Sequence, residues 1–158
     1  MQPRITASLK ALIVVLLALL LSTQVFLIPG VALLAAERNP DLAYLAVPGI
    51  VGGIVLVALI EIVLICVWRL LSLVREDRIF SQGAFRYVDV IMATMAASAV
   101  LIAGAVVVLA FGRAVNPSIL LLGVVGVVIG IALALLVGVM RGLLRKALEL
   151  EQDLSEVV

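Results

Sequence analysis

Four uninterrupted apolar blocks, at about 11–36, 47–71, 88–112 and 118–140, constrain this 158-residue chain more than any other feature. Each exceeds the roughly 20 residues that a helix needs to cross about 30 Å of hydrocarbon. A water-soluble core would scatter its apolar residues at helical or strand spacing among polar ones, which these blocks do not do. Two thirds of the residues are apolar and 13% are charged, against about 45–50% and about 25% in a soluble domain. Lipid is therefore the expected solvent. In lipid an unpaired backbone amide costs several kcal/mol, so each block is expected to be a helix, and none has the alternating polarity of a barrel strand. The expected fold is all-α, an integral membrane four-helix bundle of up-down antiparallel hairpins followed by a helical extension over 141–158.

The breaks between blocks differ in kind. Glu37 to Asp41 and Asn116-Pro117 combine helix-stopping residues with charged or amide groups, and each reads as a short turn. From Arg69 to Asp89 the chain carries four arginines, while Leu70, Leu71, Leu73 and Val74 continue helical spacing beyond the bilayer edge. Ser81 suits an N-cap of the third helix. Phe80 and Phe85 flank it at the spacing of a hydrophobic staple, or serve only as interfacial anchors.

Nine basic residues (Arg4, Lys10, Arg69, Arg75, Arg78, Arg86, Arg141, Arg145, Lys146) flank one side of the spans, and Arg38 and Arg113 flank the other. The positive-inside rule then places both termini and the middle loop in the cytoplasm. The first block exceeds the roughly 7–15 residues of a signal-peptide core, so it is expected to be retained. Net charge is +1, which gives no bulk attraction for nucleic acid. With no histidine and with Cys66 as the single cysteine, the usual haem and zinc sites and any histidine-based triad lack their groups. No cofactor and no enzyme activity are expected.

Glu61 is the first candidate for chemistry, because a charged acid near the middle of a span costs about 3 kcal/mol or more on insertion scales. Counting from the membrane exits places Thr94 and Ser98 near its depth, with Gln24, Thr23 and Ser22 somewhat further out. Such a polar cluster is either a proton or ligand site or an interhelical clasp worth about 0.6–2 kcal/mol. Gly126, Gly130, Ala134, Gly138 and Gly142 recur every fourth residue, and Gly49 and Gly53 repeat the interval once. Small residues at this spacing let membrane helices approach closely, within one chain or between two. After Met140, apolar residues at Leu143, Ala147, Leu150, Leu154 and Val157 are spaced four, three, four, three, a coiled-coil seam too short to persist unaided. Its first turn is basic and the remainder acidic, so the acidic part points away from anionic headgroups. It needs a second copy, the arginine-rich loop or another protein as partner, or else frays as a solvated tail.

Val67-Trp-Arg-Leu-Leu-Ser-Leu-Val-Arg-Glu-Asp77 and Val139-Met-Arg-Gly-Leu-Leu-Arg-Lys-Ala-Leu-Glu149 form a faint repeat, each leaving the membrane through arginine. Together with Arg78-Ile-Phe-Ser and Ala84-Phe-Arg86, these stretches resemble a bacterial family known as domain of unknown function 2975, over nearly the whole chain. The resemblance implies a small four-span protein of the bacterial plasma membrane, without established activity, often encoded beside a helix-turn-helix regulator. The leading expectation is a non-enzymatic regulatory module whose docking face comprises Arg75, Arg78, Phe80, Phe85, Arg86, Leu143, Leu150 and Leu154. The alternative is a small transporter or channel subunit built on Glu61. The expected partners are the bilayer, a cytosolic regulator and a second copy.

Overall fold

A computed structural model describes residues 3–75, 82–111 and 117–156, and every regular element among them is helical. The first span is α1 (Pro3–Ser22), one π-helical turn over Thr23–Leu27, and α2 (Ile28–Arg38). The sequence pattern predicts a helix over this block and says nothing of the π turn. Pro29 is the physical reason for the turn: it has no N–H to donate, and its ring crowds the carbonyl four residues back. The ladder widens just before it, so that the Ile28 N–H reaches the Thr23 carbonyl, five residues back. Ser22 and Thr23 donate their hydroxyls to the Ala18 and Leu19 carbonyls at 2.8 and 2.9 Å, which loosens the same stretch further.

Pro40 pushes Asn39 out of the helical region, to φ −133° and ψ 80°, and ends α2. Asn39 caps the exposed carbonyl of Ala35 with both its backbone N–H (3.0 Å) and its side-chain amide (3.2 Å). A 3₁₀ turn over Pro40–Leu45 then leads directly into α3 (Ala46–Arg75). The third span is α4 (Gln82–Phe111) and the fourth is α5 (Pro117–Glu156), whose first residue is a proline pre-set for a helix start. The span expected at 118–140 and the extension beyond it are one unbroken helix of 40 residues, about 60 Å long. Ser81 and Phe80, the expected cap and staple residues, lie outside the described residues, as do Asn116 and Arg113.

Four stretches are long and apolar enough to cross a membrane: Thr6–Arg38, Pro40–Leu73, Phe85–Phe111 and Pro117–Ala147. The interior between them is thin. Among the described residues only Ile13, Cys66, Ile91, Thr94 and Ala99 are buried, whereas Leu122 is 74% and Phe111 87% exposed. A soluble monomer rarely exposes more than a few hundred Å² of contiguous apolar surface, so hydrocarbon must cover these faces. The chain is a multi-pass membrane protein.

Each span packs on its neighbour in chain order, α1 and α2 on α3, α3 on α4 and α4 on α5. Among the described residues α1 makes no close backbone approach to α4 or α5. The layer is held at its closest points by small residues. A Cβ added to Gly130 would lie 3.1 Å from the Ala99 Cβ, one at Gly126 3.6 Å from the Ile102 side chain, and one at Gly138 3.4 Å from the Met92 sulfur. Gly123 packs against the Val106 side chain with no room for a methyl group, and Gly53 abuts Ile28 in the same way between α3 and α2. Ala134, with Ala96 and Ala99, lines a shallow apolar groove between α4 and α5. Gly49 and Gly142, which share the four-residue interval, meet no neighbour. Gly130→Leu is therefore expected to destabilise the detergent-solubilised protein by about 1–3 kcal/mol through overpacking. Gly142→Leu is expected to leave thermal unfolding within about 0.5 kcal/mol of the parent; equal losses would remove the packing argument.

Candidate functional site

Polar side chains gather at two levels. The first is the arginine-rich end, where α1 begins, α3 ends, α4 begins and α5 leaves the bilayer. Lys10 of α1 reaches across to α3, donating to the Ser72 hydroxyl at 2.8 Å, while its ammonium lies 5.5 Å from the centre of the Trp68 ring. Ser72 passes the interaction on by donating to the Trp68 carbonyl at 3.1 Å. A cation over an aromatic face at a half-open site contributes about 0.5–1 kcal/mol, and the ring also shields the lysine stem from lipid.

Between α4 and α5 the equivalent tie is an ion pair. Arg141 Nη2 donates to Asp89 Oδ2 at 2.9 Å, and Nε stands 2.6 Å from Oδ1. Nε and Oδ1 are both shielded from solvent, but the Nε–H is not aimed at the oxygen, so this second leg is a charge contact more than a hydrogen bond. Sequence reasoning grouped Arg141 with the basic flank and missed Asp89. The signal was present, since the two lie at nearly equal distances in sequence on either side of the Asn116-Pro117 break, where an antiparallel hairpin must bring them level.

Of the proposed docking residues at this end, Arg86 and Leu143 are exposed and Phe85 is half-buried. Arg75 closes the described part of α3, and Leu150 and Leu154 lie on the outer part of α5; nothing is described of these three side chains. Arg78 and Phe80 lie outside the described residues. On the outer face of α5, Arg145 and Glu149 form an exposed pair at 3.4 Å. Such a pair contributes a few tenths of a kcal/mol to the helix.

The second level is inside the membrane. The contacts of Ile28 with Gly53 and of Lys10 with Ser72 fix an antiparallel register between the first span and α3. This register carries Gln24 to within about one helical turn of Glu61. Glu61 lies almost directly in line with Trp68 and Ser72 along α3, on the face toward α1. Gln24 sits in the π turn that Pro29 imposes. The Glu61 Oε1 and the Gln24 Nε2 are both buried, and neither has a hydrogen-bond partner. Thr94 and Ser98 use their hydroxyl protons within α4, donating to the Val90 carbonyl at 2.7 Å and the Thr94 carbonyl at 2.9 Å. Of the four expected members of the polar cluster, Gln24 and Glu61 thus belong together on the first interface, and the hydroxyls serve their own helix. Among the described residues no group of three or more potential metal ligands occurs.

The pair at the arginine-rich end lends itself to a double-mutant cycle. Asp89→Ala and Arg141→Ala should each lower stability in detergent, with a coupling of about 1 kcal/mol. The swapped variant Asp89→Arg with Arg141→Asp should recover part of the loss. A coupling of zero would reduce the contact to coincidence.

Two comparisons, one with curated proteins and one with solved structures, gave no significant match. A third, with models of protein families, aligned residues 30–158 with the family described as "Protein of unknown function (DUF2975)". That alignment runs from Gly30 within α2 through α5, including both ties at the arginine-rich end except Lys10, and covers most of the chain: the protein belongs to the DUF2975 family.

Proposed function

We propose that this protein is a non-enzymatic interaction module of the bacterial plasma membrane, with both termini on the cytoplasmic side, whose cytoplasmic face holds a regulatory protein at the bilayer. The orientation rests on the nine-to-two division of basic residues between the two ends. One observation carries the docking reading. α5 continues as a helix to Glu156, past the apolar stretch that ends at Ala147. An extended, mixed-charge helix is a means of binding protein and contributes nothing to crossing lipid. A helix-turn-helix regulator is the partner class that the family resemblance suggests.

In the native host, tagged full-length protein is expected to co-purify with a cytosolic regulator, and a variant ending at Met140 is expected to lose it. Equal retention by both, or by neither, would remove the extension as the docking element. Retention also tests orientation, because a cytosolic protein cannot reach a helix displayed on the outer face.

A second reading is favoured by the two unpartnered groups inside the membrane. Glu61 Oε1 is an acceptor and Gln24 Nε2 a donor, both buried at one helix interface, and desolvated groups of this kind mark ion or proton pathways in membrane proteins. On this reading the protein is a small transporter or channel subunit. Reconstituted vesicles should then show proton-coupled flux that Glu61→Gln abolishes; flux that is absent, or unchanged in the variant, refutes it.

A further inference from the structure

The outer part of α5 carries apolar residues in a segment that runs past the start of α4. Arg141, the first charged residue of α5, is paired with Asp89. At 1.5 Å per residue Leu150 and Leu154 lie about 14 and 20 Å beyond it. In the antiparallel register set by that ion pair, α4 begins at Gln82, so α5 runs past it from about residue 148 onward. Among the described residues no other helix packs on α5.

The apolar positions of this segment, Leu143, Ala147, Leu150 and Leu154, keep the four-three spacing of a coiled-coil seam. The spacing does not stop at the membrane. It continues inward through Met140, Leu136, Leu133 and Ile129, all exposed, with Leu143 and Met140 at 61% and Leu136 at 58%. Ile129, Leu133 and Met140 each precede by one residue a member of the row that faces α4 (Gly130, Ala134, Arg141) and are thus turned about 100° from it, while Leu136, two residues before Gly138, is turned further still. One stripe, exposed from Ile129 to Ala147 and continued in sequence by Leu150 and Leu154, therefore runs from the membrane span toward water.

We propose that a second copy of this chain covers the stripe, with the two α5 helices pairing as a parallel, in-register coiled coil from mid-membrane to the outer end of α5. Two copies inserted in the same orientation can bring these segments together only in parallel, about an axis normal to the membrane. In a parallel pair the residue at g of one helix faces the residue at e of the other, five positions on. With Leu143 and Leu150 at d and Ala147 and Leu154 at a, Lys146 at g faces Glu151 at e of the second copy, twice by symmetry. The flanking g–e pairs are Val139 with Leu144 and Asp153 with Val158, so no like charges oppose one another. Arg145 and Glu149, already paired within the helix, fall on the outer face. The small Ala147 at a lets the helices approach closely between Leu143 and Leu150. The inference is independent of the docking reading, and a two-fold platform also suits a regulator that is itself a two-fold dimer.

The test uses full-length protein in native membranes, with Cys66→Ser removing the native thiol. Leu143→Cys and Leu150→Cys, at seam positions, are expected to give an oxidised dimer in most chains, at least fivefold more than Arg145→Cys on the outer face. Particle mass in nanodiscs should correspond to two chains. Lys146→Glu should lower the yield at Leu150→Cys several-fold, and adding Glu151→Lys should restore it, a rescue that general damage to the helix would not allow. A single-chain mass, seam yields no higher than at position 145, or failure of the double charge variant to recover would each overturn the proposal. Were a cytosolic regulator still to co-purify with single chains, the dimer would be refuted and the docking reading would stand.

Discussion

Hydrocarbon will not hydrogen-bond a peptide group, and nearly every feature of this structure is a response to that constraint. It makes each apolar block a helix. It also explains how the one irregular stretch within a span is tolerated. The π turn over Thr23–Leu27 sits where Pro29 removes an N–H, and the ladder there is rebuilt from the Ile28 N–H to the Thr23 carbonyl, with the hydroxyls of Ser22 and Thr23 bonded to carbonyls one turn back. Since burying apolar surface yields little when the solvent is itself apolar, the helices are held by close approach and by a few polar ties. Glycines meet side chains at 3–4 Å along the α4–α5 contact, and the charged residues tie the helices only near the end of the layer, where headgroups and water keep charge inexpensive.

Much of this was legible in the sequence because membrane helices are nearly one-dimensional objects. Span number follows from block length, and hairpin register follows from counting outward from a turn. Lys10 and Ser72 are nearly equidistant from Asp41, as Asp89 and Arg141 are from the Asn116-Pro117 break, and each pair meets in space. The identity of a tie was harder to foresee than its level. Trp68 and Ser72 read as ordinary membrane-exit chemistry until Lys10 was found over one and bonded to the other.

What escaped the sequence depends on helical phase. Glu61, Thr94, Ser98 and Gln24 were grouped by depth, a coordinate that counting supplies, but depth does not say which way a side chain turns. The α4 hydroxyls found carbonyls one turn back on their own helix, as Ser and Thr do in lipid at almost no conformational cost. Glu61 and Gln24 find no such local partner: the Glu61 Oε1 meets no donor, and the Gln24 amide nitrogen meets no acceptor at the π turn. The two groups with unmet needs therefore remain together on the α1–α3 interface.

The same reasoning about phase separates the two halves of α5. Within the bilayer an exposed leucine is in its proper solvent, so exposure of Leu136 or Ile129 carries no information taken alone. Past Arg141 the solvent changes while the stripe continues in the same phase, and an arrangement that was neutral becomes costly. A chain adapted only to cross the membrane would have turned polar at that point on every face, as its outer face does at Arg145 and Glu149. That the sequence turns polar on one face only, with Lys146 and Glu151 flanking the other, is the pattern that a helix-to-helix contact beyond the span requires.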